Sequence, residues 1–451
     1  MGSILGHLAS TPDQRRVRVI GLVDALGSGL LMPLSVIYLT REVGLSATHV
    51  GLGLTIAGSV AVGASLVGGA LVSRFDPRHI AAGCFAVSAL GFLAYIAVGS
   101  FAAFVPVAVA VQAAAKVDRP ATAALVLEAN SGAAAASVIG LASQQTVRNA
   151  GYGVGSLCAA LVVLLPGRAP FDTALLANAA SYVIAACLVL QLPAATTRPA
   201  NAAVTATGFD SGSHRTPGGS STTGRGLRVV LRDRPFVVLA GLDVSMALHD
   251  SILRVAMPLW IVTRTHAPLA MSGILFALNT IMVTTLQLRA SRTISARHAV
   301  DRSYLRAAIA LAACAGLFAA AGGAPAWLAI VLLLLAMTAL SVAEIENTAG
   351  EAILAVGLAP GPMVGRYIAL LKTSMSLQQA VGPALVTLAL TQWGRSAWIA
   401  FGGIAAASAL ASRFVGDREL RLRRAGASRE DDLAASPVAS PGSLPAPARA
   451  S

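Results

Sequence analysis

A chain of 451 residues in which 56% are hydrophobic and only 12% charged is not a soluble globular protein, where about 25% charged residues is usual. Its mean hydropathy of +0.73 puts most of it in lipid, and the length suits about twelve membrane spans with their loops rather than three soluble domains. The formal charge of +13 does not require nucleic acid, because the arginines gather in one set of loops.

Arg15, Arg16 and Arg18 form a basic start, and Val17 to Thr40 follows as an apolar stretch of about 24 residues. At 1.5 Å per residue that crosses a hydrocarbon core of roughly 30 Å. It is too long for a signal-peptide core and no small-residue cleavage site follows, so it is expected to be retained. Asp24 lies inside it, and a carboxyl at that depth is a functional-site candidate because its desolvation is costly. Gly21, Gly27, Gly29 and Pro33 interrupt the helix, as in segments that pack closely or bend. Asp24, Ser28, Met32 and Ser35 fall at i, i+4, i+8 and i+11, a single stripe that should face a cavity rather than lipid. Asp24 is then either a proton carrier or a structural acid paired with Lys116, Arg119 or Arg254.

Further spans are expected at 49–72, 79–98, 101–127, 146–166 and 173–192 after the first at 17–40, and again at 236–262, 269–290, 304–322, 325–346, 367–391 and 396–415. The fourth carries Lys116, Asp118 and Arg119 just before Pro120, which removes the backbone donor for the Lys116 carbonyl and reads as a hinge or polar vestibule. The seventh repeats the design of the first: it holds Asp243, Asp250, Arg254 and Pro258, and its Met257-Pro258-Leu259 with Thr263-Arg264 echoes Met32-Pro33-Leu34 with Thr40-Arg41. Two halves built alike are a common plan of secondary transporters. Asp243, Asp250 and Arg254 share a helix face; Asp243 or Asp250 is the next candidate proton carrier after Asp24, and Asp250 with Arg254 at i, i+4 forms either a satisfied pair or one that substrate or proton displaces.

Glu344 and Glu346 read as the solvated end of the tenth span. Asn279 and Gln287 in the eighth and Gln378 and Gln379 in the eleventh either line a cavity or bond across helices. Tyr38, Trp260, Trp393 and Trp398 near span ends suit interfacial belts, with Phe276 and Tyr95 as cavity candidates. Cys84, Cys158, Cys187 and Cys314 all lie in apolar runs without metal or disulfide spacing and read as packing residues.

Arginine placement sets the expected topology. The loops holding Arg74, Arg78, Arg148, the 198–234 group and Arg289 to Arg306, with both tails, are expected inside, leaving one each outside at Arg41, Arg168, Arg264 and Arg395. Both termini are then cytoplasmic in the cell membrane. The expected organisation is a six-helix bundle over 1–192, a disordered linker over 193–235, a second bundle over 236–415 and a disordered tail over 416–451. The Gly219 to Gly224 spacing in the linker lacks the Lys and the preceding strand of a phosphate loop. No soluble-enzyme, metal or dinucleotide signature occurs in the sequence, so no cofactor is expected.

Between the second and third spans, Gly69, Leu71, Ser73, Arg74 and Arg78 in GGALVSRFDPRHI resemble the Gly-x-Leu-x-Asp-Arg-x-Gly-Arg-Arg loop of the major facilitator superfamily, with Ser73 at its Asp. Ser291-Arg292 resembles a degenerate repeat of that loop. Gly151 and Gly155 in NAGYGVGS resemble the family's antiporter motif, with Ser156 where Pro is usual, and DALGSGLLMP resembles its first-helix signature. Arg119 resembles the fourth-helix arginine to which the family ascribes a part in proton transfer. The resemblance, to the twelve-span drug or metabolite:proton antiporter kind, covers 15–415. It implies an all-α membrane protein of twelve helices in two pseudo-symmetric bundles. It implies a monomer working with a small-molecule substrate, protons and the bilayer, exporting largely apolar organic molecules in exchange for protons. The alternatives are proton-coupled uptake of a metabolite and a membrane-embedded enzyme.

Overall fold

The computed structural model describes residues 11–130, 134–193, 230–292, 299–359 and 364–435. Twelve helical segments follow in chain order: α1 (Pro12–Glu42), α2 (Ala47–Arg74), α3 (Pro77–Ile96), α4 (Phe101–Ala129), α5 (Ala134–Val162), α6 (Ala169–Leu190), α7 (Arg234–Arg264), α8 (Met271–Arg292), α9 (Ala299–Ala321), α10 (Ala326–Leu358), α11 (Val364–Trp393) and α12 (Arg395–Ala435). Among the described residues, nine of these are long and apolar enough to cross a membrane, and there is no strand.

The two halves repeat one packing plan. In the first, α1 packs on α5 and α6, α2 on α4, and α3 on α4 and α6; in the second, α7 packs on α11 and α12, α8 on α10, and α9 on α10 and α12. Across the halves α2 meets α11 and α5 meets α8, two contacts that exchange under the same repeat. The sequence echo between α1 and α7 is therefore a structural one. α1 starts on a Thr11 capping box with Gln14, breaks at Met32-Pro33, restarts at Leu34–Ile37 and widens into a π turn at Tyr38–Glu42. α7 runs Arg234–Met246 and Leu248–Ser251, widens at Ile252–Ala256 and restarts as Met257–Arg264. Proline removes a backbone donor, and wide turns leave carbonyls free, so both breaks sit where protein covers the backbone.

Glycine sets how close the helices come. Gly155 lies against the backbone of Leu26 and Leu30, and Gly151 against Leu22 and Ala25, so α5 and α1 cross with no room for a Cβ. The half-to-half contacts named by residue run from mid-level to the end where α1 finishes: Thr55 Oγ1 accepts from Ala384 N at 2.9 Å, Gly273 meets Ser156 and Ala160, and Val36 is buried in the core of the second half.

Several expectations shift here. α10 continues to Leu358, so Glu344 and Glu346 lie within a helix rather than at its end. Tyr38 is not a belt residue, being buried with its hydroxyl donating to the Tyr95 carbonyl at 3.2 Å, and neither are Trp260 and Trp398. Both are fully buried, 5.8 Å apart, and Phe318 stacks on Trp398 at 4.3 Å; the indole Nε1 of Trp260 donates to the Phe318 carbonyl at 2.9 Å. Trp393 remains exposed. Phe276 is a core residue of the second half. Cys158 and Cys187 are exposed, whereas Cys84 and Cys314 are packed inside.

The expected tail at 416–451 begins inside α12, which runs on to Ala435. Arg423 there clamps Asp233, the N-cap of α7, at 2.7 Å, and Tyr367 Oη donates to the same carboxylate at 2.6 Å. The linker expectation falls mostly on 194–229, outside the described residues, as do the side chains of Ser291 and Arg292.

Gly155→Val is expected to destabilise the bundle by about 1–3 kcal/mol through overpacking, whereas Gly69→Ala, which faces open space, is expected to be neutral or mildly stabilising. Melting curves of the two variants in detergent separate a packing role from a generic glycine effect.

Candidate functional site

A cavity of about 290 Å³ lies between the halves, walled by α1 to α6 on one side and by α7 and α11 on the other. That is near the lower limit of roughly 300–1,000 Å³ for small-molecule sites.

On the first half the wall is built around Asp24. Its side chain is 7% exposed, and Oδ2 accepts from Arg148 Nη1 at 2.5 Å. Ser28 Oγ lies 3.5 Å from Oδ1 and 3.1 Å from Tyr182 Oη. Arg148 Nη2 donates to Tyr152 Oη at 2.8 Å, one turn along α5. Asp118, buried on α4, accepts from Thr122 Oγ1 at 2.8 Å and stands in the field of Asp24, Arg148 and, more weakly, Arg119. Two carboxyls and one guanidinium thus share a patch that water hardly reaches, where an isolated charge costs several kcal/mol.

On the second half the wall is built around Asp250, where α7 is broken. Arg254 Nε donates to its Oδ1 at 2.7 Å from the wide turn that follows. Gln379 Nε2 approaches Oδ2 at 3.4 Å, and Gln379 Oε1 accepts from Lys116 Nζ of the first half at 2.7 Å. The chain Arg254–Asp250–Gln379–Lys116 therefore crosses the interface. Arg254 Nη1 also reaches Met32 Sδ at 3.5 Å, which joins the two broken helices.

Of the residues singled out from the sequence, Asp24, Ser28, Met32, Ser35, Lys116, Asp118, Arg119, Asp250, Arg254 and Gln379 line this cavity, as do Tyr38 and Tyr95. Others do not. Asp243 is buried away from it, accepting from Asn347 Nδ2 at 3.3 Å; the same amide donates to Glu351 at 2.6 Å, and Lys372 stands 3.6 Å from Glu351. Asn279 ties α8 to α10 through Ser341 at 3.1 Å and Glu344 at 3.0 Å. Gln378 donates to Ser251 at 2.7 Å, and Gln287 is exposed. These amides serve helix packing because their neighbours across the helix pair carry the matching oxygen.

The polar loop between α2 and α3 also works differently from its family resemblance. Ser73 Oγ turns back to the Ala70 carbonyl at 2.7 Å. The acid in use is Asp76, which caps α3 and pairs with Arg78 at 2.7 Å, while Arg78 Nη1 donates to the Leu192 carbonyl at 2.6 Å. The Arg78 hydrogen bonds hold the Asp76 carboxyl below its ordinary value, against a smaller opposing effect of burial.

Arg148 was the functional residue hardest to see. The apolar run suggests a fifth span starting at 146, which puts Arg148 at its cytoplasmic end and among the inside arginines; α5 in fact begins at Ala134, and Arg148 lies at its middle. Asp24 consequently pairs with Arg148 rather than with Lys116, Arg119 or Arg254. The available signal was the Arg148 and Tyr152 spacing at i, i+4, just ahead of the glycine face that packs on α1.

The Major Facilitator Superfamily model matches residues 19–349. The chain belongs to the Major Facilitator Superfamily. No curated protein matches it by sequence. Its fold is similar to the nucleoside transporter NupG, with a TM-score of 0.68 at 15% identity over 90% of this chain and 99% of that one. It is also similar to a bacterial homologue of the human lysosomal transporter Spinster in an inward-facing, unoccupied conformation (TM-score 0.69, 11% identity, 91% and 98% covered). A third likeness is to a structure concerned with substrate recognition in proton dependent oligopeptide transporters (TM-score 0.66, 11% identity, 91% and 98% covered). At these identities the neighbours show the fold alone. This superfamily member is a multi-pass membrane transporter, and the cavity lies between its two repeated halves.

Two outcomes follow for the transporter. Asp24→Asn and Arg148→Gln are each expected to destabilise it by roughly 3–5 kcal/mol, because each leaves a buried partner uncompensated. The double variant should recover most of that loss in detergent melting curves, and simple additivity would show the pair to be uncoupled. For Asp76 the folded value is depressed, so its contribution is complete above the ordinary 3.8 and is lost as pH falls through the lower folded value. The melting temperature of Asp76→Asn should therefore lie below the parent's at neutral pH and converge with it under acid conditions.

Proposed function

We propose that the transporter exports small, largely apolar organic molecules by alternating access, in exchange for protons. The observation that carries this reading is the buried Asp24–Arg148 pair on the cavity wall with Asp118 beside it. A patch of two carboxyls and one guanidinium changes its net charge by one when a proton enters. In a low-dielectric wall that change alters which ion pairs are worth keeping. A proton on Asp24 weakens its hold on Arg148, which is then free to turn toward Asp118 or the cavity. Asp250 and Arg254 form the matching pair on the other half, and Arg119 adds a cation to the same wall. Asp243 is given no part in this route, since it faces α10 rather than the cavity.

The moving parts are the two broken helices. Leu34–Ile37 of α1 packs on Met257–Arg264 of α7, with Val36 seated in the core of the second half. With the N-terminus cytoplasmic, as the arginine distribution favours, the packed end is the outer one and the molecule faces inward. Opening the outer end requires Val36 to leave that core and the α2–α11 and α5–α8 contacts to part, a rocking of one bundle on the other. The aromatic cavity wall supports an apolar cargo: Phe92 stacks on Tyr182 at 5.6 Å, and Phe85 lies 5.9 Å from Tyr182.

The reading is tested in an efflux-deficient bacterium by the accumulation of fluorescent hydrophobic compounds of either charge and of none. The parent is expected to lower accumulation of part of the panel, and both a protonophore and Asp24→Asn should abolish that effect at equal membrane levels. An unchanged panel would overturn export and leave uptake as the direction to examine. Efflux that persists in Asp24→Asn would remove the coupling role from the pair.

A further inference from the structure

The charges on the cavity wall do not balance, and the imbalance names a class of cargo. Four cations (Lys116, Arg119, Arg148 and Arg254) face three carboxyls (Asp24, Asp118 and Asp250) in the same cavity. Arg148 is committed to Asp24 and Arg254 to Asp250. Among the described residues, Lys116 and Arg119 form no ion pair: Lys116 Nζ rests on the neutral amide of Gln379 at 2.7 Å, and Arg119 is exposed on the cavity wall. They stand at i, i+3 on α4, hence on one helix face. Asp118 between them in sequence points elsewhere, to Thr122. With all seven groups ionised the wall carries a net charge of +1, because Asp118 lies in the field of Arg119 without forming an ion pair with it, and an excess cation at membrane depth is costly enough that a protein retains it where something supplies the missing charge.

We propose that Lys116 and Arg119 form an anion site, and that the transporter's cargo is an amphipathic organic acid with one carboxylate and an aromatic or long apolar body. The proposal rests on reading this cavity as the substrate site. The head group lies between the two cations and the body lies along Phe92 and Tyr182. Because Gln379 belongs to the second half, a carboxylate that takes Lys116 from it breaks one of the hydrogen bonds that join the halves. Cargo binding and release of the interface are then the same event. Gln379, so freed, is left with Asp250, the partner it already approaches. An uncharged molecule of the same shape offers at most one neutral acceptor in exchange for another, and a cation is repelled, so neither gains the charge-assisted bond that makes displacing the amide favourable.

The test uses the full-length transporter in lipid nanodiscs and three probes of nearly equal size: 2-naphthoate, 2-naphthalenemethanol and 2-naphthylmethylammonium. Titration calorimetry at neutral pH is expected to show the carboxylate binding at least tenfold more tightly than either of the others. Lys116→Gln and Arg119→Gln should each cut that preference by tenfold or more while leaving the affinity for the alcohol unchanged. Lys116→Gln also removes the bridge to Gln379, so Arg119→Gln, which touches no bridge, is the cleaner arm. Equal affinities for the three probes, a preference for the cation, no binding of the carboxylate, or an unchanged preference in both variants would each overturn the anion site. Counterflow of labelled probe in proteoliposomes tells this failure from failure of the transport reading. Exchange of the alcohol as fast as the carboxylate overturns the anion site and leaves transport standing. Selective binding of the carboxylate without any exchange overturns the organic acid as cargo and leaves Lys116 and Arg119 as an anion site outside the transport path.

Discussion

A carboxylate and a guanidinium held 2.5 Å apart inside a lipid-facing bundle constrain everything around them. Neither group is tolerable alone at that depth, and their partnership needs α1 and α5 to meet closely and in one register. Gly151 and Gly155 supply the close approach on the α5 side. Tyr152, one turn beyond Arg148, then fixes the guanidinium from the cavity side. The glycine face that resembles a family motif and the ion pair that the sequence hides are thus parts of one contact.

The same logic repeats at α7 with different components. There the pair is local, Asp250 to Arg254 within one broken helix, so it does not depend on a neighbouring helix for its geometry. The first half therefore stores its charge between helices and the second within one. Under the proposed coupling, a proton that loosens Asp24 from Arg148 would change a helix–helix contact, whereas a change at Asp250 would be felt through Gln379 at the interface with α4.

How much was legible in the sequence depended on whether the signal was local. The break in α1 and the wide turn ahead of Pro258 in α7 were legible, because proline acts on its own backbone and Met32-Pro33-Leu34 recurs as Met257-Pro258-Leu259, whereas the break at Ala247 carries no such residue and was not. The pair Asp250 and Arg254 was legible for the same reason. Arg148 was not, because hydropathy ends a span at the first polar cluster, and the turns of α5 before it carry Gln144 and Gln145, polar residues on a helix that the bundle still accommodates. Trp260 and Trp398 were misplaced because their distance from a span end suggested an interface, while their burial comes from a cluster with Phe318 that only the fold assembles. Asn279 and Gln378 were polar enough for a cavity, yet the direction of a side chain on a helix is decided by which neighbour offers a partner.

The proposed link between proton movement and cargo movement runs through the Asp24–Arg148 pair. The most direct measurement is proton flux into or out of proteoliposomes holding a trapped pH-sensitive dye, driven by a cargo gradient in the absence of any imposed pH gradient. The account requires a proton flux opposite to the cargo in the parent, and cargo exchange without that flux in Asp24→Asn. A proton flux of undiminished size in Asp24→Asn, at equal cargo exchange, would contradict it.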